Sequence, residues 1–135
     1  MKKLLLAIGL LSIACSSYDL TRPTQETLAG KWDLTEVNGV HLPYVFSQAG
    51  ASKIEIVQDV LTLTAPDTFS EVTTARETQS GQVTTRTIFD SGTYQFNSYA
   101  VTFNFQSNGS IGSGTLTGRT MEVVTSGVTF TYKKQ

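Results

Sequence analysis

Between residues 31 and 134 of this 135-residue chain the apolar side chains recur at every second position, and that period limits the possible folds more than any single motif. Tyr94 and Phe96 share one phase, as do Val101, Phe103 and Phe105, and then Val128, Phe130 and Tyr132; Thr93, Gln95, Thr102, Asn104, Thr129 and Thr131 fill the alternate places. In a strand, successive side chains point to opposite faces, so this pattern describes antiparallel strands with one dry and one wet face. The strands are punctuated by Asn38-Gly39, Gln58-Asp59, Ser80-Gly81, Ser91-Gly92, Asn97-Ser98, Asn108-Gly109, Gly118 and Ser126-Gly127, which read as hairpin turns.

These marks predict strands at 31–38, 52–58, 60–65, 68–79, 82–90, 93–97, 100–106, 110–117, 120–125 and 128–134, with ten as an upper count. A sheet of that length rarely stays open, because free edges pair with other chains, so the expectation is an all-β, antiparallel up-and-down meander closed into a small barrel of 8–10 strands. Before it, Pro23 suits a helix start and Gly30 the position just past a helix end, which predicts one or two helical turns between them. The inward set by this phasing is Trp32, Leu34, Ile54, Ile56, Leu61, Leu63, Phe69, Val83, Phe89, Tyr94, Phe96, Val101, Phe103, Phe105, Leu116, Met121, Val123, Val128, Phe130 and Tyr132. Nine of these twenty are aromatic, and an eight-stranded barrel has room for side chains or for one small ligand. A filled core and a ligand cup are both open at this point.

The amino end carries a different signal. Lys2 and Lys3 precede an apolar run from Leu4 to Ile13, which ends at Ala14-Cys15. A positive start, a greasy segment of about ten residues and a small residue at a cleavage point are the parts of an export signal, and the run is too short for a spanning helix of roughly 20 residues. Ser12-Ile13-Ala14-Cys15 resembles the lipobox of bacterial lipoproteins, with Ser12 where leucine is commonest. The resemblance implies removal of residues 1–14, a lipidated (palmitate-type acylated) Cys15, a tether over 15–22 and one domain over 23–135. Two or more acyl chains anchor a protein stably. Ser16, in place of an aspartate that retains lipoproteins at the inner membrane, implies the outer membrane of the bacterial cell envelope.

Without Lys2 and Lys3 the chain keeps eight Lys and Arg against eleven Asp and Glu, a net charge of −3. Its arginines, Arg22, Arg76, Arg86 and Arg119, are scattered, so there is no basic stripe for a phosphate backbone and nucleic acid is not an expected partner. Cys15 is the only cysteine and His41 the only histidine, which leaves no metal-ligand cluster and no Cys-His pair. No nucleophile elbow flanks a serine, and Gly112-Ser113-Gly114 lies within a strand-rich run without the helix that a phosphate-binding turn requires. His41, beside Pro43, reads as a solvated or locally bonded ring. The expectation is therefore no enzyme, no catalytic residue, no metal and no cofactor.

Gly30-Lys31-Trp32, the segment from Leu34 to Tyr44, and the closing series Ser91-Gly92-Thr93-Tyr94, Gly114-Thr115-Leu116-Thr117-Gly118 and Thr129-Phe130-Thr131-Tyr132-Lys133 together resemble the small lipocalin-like domains of bacterial lipoproteins. That resemblance implies that Trp32 plugs one barrel end under a basic side chain of the last strand, a part open to Lys133 or Lys134. It also implies a small hydrophobic ligand, for which Trp32, Phe96, Phe103, Phe105 and Phe130 are the candidate lining. Trp32 to Pro43 also resembles the opening of META-type domains, and the alternative reading is a structural or protein-interaction lipoprotein with a filled core and an envelope protein as partner. The hairpin from Thr68 to Asp90, with Glu71, Arg76, Glu77 and Arg86 placed for cross-strand ion pairs on its outer face, either serves solubility and register or projects past the rim to meet that partner.

Overall fold

The computed structural model describes residues 23–135, so the expected export signal, Cys15 and the expected tether lie outside the described residues. The chain opens with a single helical turn, α1 (Gln25–Leu28), capped by Thr24: its hydroxyl accepts the Thr27 N–H at 3.2 Å while the Thr27 hydroxyl accepts the Thr24 N–H at 2.8 Å. This is a reciprocal cap that satisfies donors a short helix cannot satisfy itself. Gly30, at φ +124°, then turns the chain into the sheet.

Ten strands follow: β1 (Gly30–Val37), β2 (Val40–His41), β3 (Tyr44–Ala49), β4 (Ser52–Thr64), β5 (Thr68–Gln79), β6 (Gln82–Asn97), β7 (Ala100–Phe105), β8 (Ile111–Thr117), β9 (Thr120–Thr125) and β10 (Val128–Lys134). Every pairing is antiparallel, and the order β2-β1-β10-β9-β8-β7-β6-β5-β4-β3 closes through β1 against β4, from Gly30 opposite Leu63 to Asp33 opposite Val60. The result is a closed eight-stranded barrel with β2 and β3 as extra strands. Closure uses only the first half of β1 and the last half of β4; beyond it, β4, β5 and β6 run past the wall and carry β3 along the first half of β4.

Ten strands were expected, but they are not the same ten. Gln58-Asp59 and Ser91-Gly92 are not turns: β4 passes through 58–59 with a bulge between Ile56 and Gln58, and β6 is a single strand of 16 residues. A bulge adds one residue to one strand and reverses its facing parity, which is why Ile54 and Ile56 share a row with Leu61 and Leu63 despite the change from even to odd numbers. The short strands β2 and β3 lie where no strand was expected. True hairpin turns stand at Asn38-Gly39, Ser80-Gly81 and Ser126-Gly127, where both residues have positive φ, the backbone twist that two-residue hairpins favour.

One end of the barrel is sealed. Trp32 is 1% exposed, its Nε1 donates to the Leu28 carbonyl at 3.0 Å, and Lys134 Nζ lies 5.7 Å from the ring centroid while also donating to the Thr27 carbonyl. The basic cover expected from the last strand is therefore Lys134. Below the plug, Leu28, Leu63, Tyr94, Val101, Phe103 and Met121 are fully buried. Phe69 meets Phe103 edge to face, with centroids 5.4 Å apart and rings at 87°, the geometry that the ring quadrupole favours. Gly92 makes room for that ring: a Cβ there falls on the Asn104 carbonyl and within 2.8 Å of the Phe69 ring.

Two residues of the expected inward set are corrected. Val83 is 59% and Phe89 73% exposed. Because β6 is continuous, Gly92, Tyr94 and Phe96 fix the even positions inward, and Val83 and Phe89 fall on the outer row.

Candidate functional site

At the end opposite the plug, the turns 38–39 and 126–127, the 106–110 connection and β3 surround a mouth. Here Phe46, Phe105, Val128 and Phe130 line a cleft of about 260 Å³ with Asp90 on its wall and Asn108, Ser110, Thr125 and Ser126 at its margin. Phe105 and Phe130 are half-buried against the core, whereas Phe46 stands 59% exposed. Of the five candidate lining residues, the structure brings only Phe105 and Phe130 together at this cleft. Trp32 and Phe103, both 1% exposed, are core, and Phe96 is half-buried near the opposite end, beside the 98–99 turn. Phe46 was not expected, since its segment carried no strand signal beyond Tyr44-Val45-Phe46.

Deeper in the barrel lies a polar cluster that the alternation pattern did not reveal. Asp59, on β4, is 5% exposed; its Oδ2 accepts the Thr73 hydroxyl at 2.5 Å, and its Oδ1 is buried without another donor. Glu71 on β5 interacts with Asp59 and accepts the Tyr132 hydroxyl on Oε1 at 2.9 Å. Burial pushes the Asp59 carboxyl up to about 6, opposed only in part by the neighbouring Thr73, Glu71 and Tyr132 side chains. Burial, and then the Asp59 charge beside it, push Glu71 up to about 8. Burial followed by the charges of Asp59 and Glu71 lifts the Tyr132 hydroxyl well above its usual range, so it stays protonated and donates. Two carboxylates this close do not both ionise readily, and a proton kept on Glu71 lets that side chain donate to Asp59. Asp90 adds a further negative charge facing Glu71, and Ser107 Oγ donates to Asp90 Oδ2 at 2.6 Å. A notch of about 530 Å³ lies beside Glu71 where β6 leaves the wall, lined also by Phe89, Asp90, Gln106 and Ser107 among others.

Glu71 was expected on the outer face of the hairpin, paired with arginine. It faces inward instead, on the row of Phe69 and Thr73. Arg76 pairs with Glu55, through Nε and Nη2 to Oε2, both at 2.9 Å, and Lys53 Nζ reaches Oε1 at 3.0 Å. The Arg76 and Lys53 bonds hold the Glu55 carboxyl below its usual range. Arg86 and Glu77 do meet, at 3.6 Å. His41, on β2, has its side chain 81% exposed with Nδ1 3.3 Å from Glu36 Oε1, a locally bonded surface ring.

Among the described residues no group of three or more His, Cys, Asp and Glu is placed to hold a metal ion, and no helix is long and apolar enough to cross a membrane. Comparison of the chain with known protein families, with curated proteins and with solved structures gives no match. The class that fold and site define is thus a closed eight-stranded antiparallel barrel, plugged at one end and carrying an aromatic cleft at the other.

Proposed function

We propose that this chain is a lipid-anchored protein of the bacterial envelope, held through Cys15 at the outer membrane, whose lipocalin-like barrel binds a small hydrophobic ligand at its mouth without catalysing a reaction. The observation that carries the ligand half is the cleft of about 260 Å³ walled by Phe46, Phe105, Val128 and Phe130. Sites of this kind are concave, mostly apolar and fixed by a few polar groups, a part that Asp90, Asn108 and Ser110 fill here. The leader supports the anchor half: the charged start, the short apolar run and the small residue before Cys15. An apolar fluorophore tests the first half: uptake with a blue shift, weakened by Phe130→Asp, is the expected result, and absence of uptake contradicts it. Mass spectrometry of the exported chain tests the second, with an acylated Cys15 expected and a free thiol contrary to it.

The second reading, a structural or protein-interaction lipoprotein with a solid interior, is favoured by one observation: Trp32, Tyr94, Phe103 and Met121 fill the barrel and are at most 1% exposed. Under this reading the dye stays in water and an envelope protein is recovered by crosslinking in cells.

A further inference from the structure

β6 runs for 16 residues, but β7 pairs with it only from Gly92 to Asn97. On that side the next backbone bond is from the Gln106 N–H to the Ser91 carbonyl, at 2.8 Å, and among the described residues nothing pairs with 83–89 beyond β5. The direction of the Ser91 carbonyl sets the phase. In an antiparallel strand a residue's N–H and C=O point to the same side, and alternate residues alternate. Phe89, Thr87, Thr85 and Val83 therefore present unpaired N–H and C=O groups to the open edge.

Natural sheets blunt such edges with bulges, proline, lysine or very short strands. The edge of β3 fits that rule, being six residues long and bulged between Val45 and Ser47. Residues 83–89, Val-Thr-Thr-Arg-Thr-Ile-Phe, contain no proline, glycine or lysine, and their register with β5 is unbroken. The outer row also exposes apolar surface, with Val83 at 59%, Phe89 at 73% and Val72, opposite Phe89, at 36%.

We propose that this edge is a dimerisation surface, on which β6 of a second copy pairs antiparallel about a two-fold axis through Arg86. The order of side chains along the edge selects that occupant. A two-fold at Arg86 sets Thr85 against the partner's Thr87 and Val83 against the partner's Phe89, so the two exposed apolar residues cover each other twice. The available length agrees: the incoming hairpin tip, Ser80-Gly81, ends where Gln106 takes over the edge. Moving the axis to Thr87 drives the tip into Gln106, and moving it to Thr85 leaves Phe89 facing glycine. At the axis Arg86 meets the partner's Arg86, a like-charge pair that costs stability; each is 3.6 Å from its own Glu77, which offsets part of that cost. One strand pair buries less than the ~1,200 Å² typical of stable complexes, so the dimer forms in a concentration-dependent equilibrium.

Sedimentation velocity of the full chain in detergent, over a concentration series, tests this. The expected result is conversion from monomer to dimer that Thr87→Pro abolishes with an unchanged circular dichroism spectrum, because the Thr87 N–H makes no bond to β5. Phe89→Lys, on an exposed side chain, gives the same loss should the proline disturb folding. Arg86→Ser, which removes the like charges, tightens the dimer several-fold. A wild type that stays monomeric to its solubility limit overturns the proposal. A dimer indifferent to both Thr87→Pro and Phe89→Lys, or one that Arg86→Ser weakens, overturns the interface or its axis.

Discussion

Tyr132 on β10 donates its hydroxyl proton to Glu71 Oε1 on β5 across 2.9 Å. In the barrel wall those two strands are separated by β1 and β4, so the bond spans the interior and fastens opposite walls around the buried Asp59. Tyr132→Phe is expected to destabilise the fold by about 1–3 kcal/mol, the cost of leaving a buried acceptor without its donor. Urea unfolding at pH 6 measures it, and a change below about 0.5 kcal/mol contradicts the bond's role.

The same cluster sets a pH dependence. Asp59 and Glu71 have their carboxyls raised above ordinary values, to about 6 and about 8. Over the interval from about 4, where unfolded carboxyls lose their protons, to about 8, the folded chain holds more protons than the unfolded one. Stability therefore falls as pH rises through that window and is fully retained only below it. Thr73 and Tyr132 face the pair as donors and Asp90 as a further negative charge, which acts in the same direction. Glu71→Gln keeps an acceptor for Tyr132 and gains a fixed donor for Asp59, so its melting temperature is expected to vary less with pH and to exceed that of the wild type at pH 8. Thermal melts at pH 5 and pH 8 check both points.

The plug contributes through charge as well as packing. Lys134→Ala removes a cation held over Trp32 and its bond to the Thr27 carbonyl. A loss of about 0.5–1 kcal/mol is expected for the ring contact alone. Trp32 is the only tryptophan, so its emission reports this end alone, and a shift in that emission is expected for Lys134→Ala but not for Phe46→Ser at the far end.

Gly92→Ala places a methyl group on the Asn104 carbonyl and against Phe69. Overpacking of this kind costs about 1–3 kcal/mol and sometimes more. Chemical denaturation is expected to show the upper part of that range, while Gly112→Ala, whose nearest neighbours are side chains at 3.1 and 3.3 Å, costs less.

Much of the architecture was legible because alternation survives wherever one face is dry. Phe103, Phe105, Phe130 and Tyr132 announced their strands, whereas the plug at Trp32 was an expectation only through the resemblance that Gly30-Lys31-Trp32 and the closing strands carry. The errors in β4 and β6 share one physical origin, which is that a turn-forming dipeptide also fits inside a continuous strand. Gln58-Asp59 looks like a turn, yet the step from Ile54 and Ile56 to Leu61 and Leu63 is the parity change of a bulge inside one strand. Missing the bulge hid Asp59, whose place on the inward row follows once β4 is continuous. Splitting β6 at Ser91-Gly92 let Val83 and Phe89 take a phase of their own, which an unbroken strand forbids. Glu71 gave no signal at all, because a charged residue in a polar-looking hairpin has no local mark of burial; only its partner Tyr132, 61 positions away, puts it inside. Phe46 was hidden by the shortness of β3.

The proposed ligand site at the mouth is tested most directly by titrating the isotopically labelled chain with an apolar fluorophore and following backbone amide shifts residue by residue. Saturable shifts confined to the neighbourhoods of Phe46, Phe105, Ser110 and Val128 to Phe130, with Trp32 and Phe96 unmoved, are the expected result. Shifts centred on the plugged end, or none at saturating dye, contradict the account.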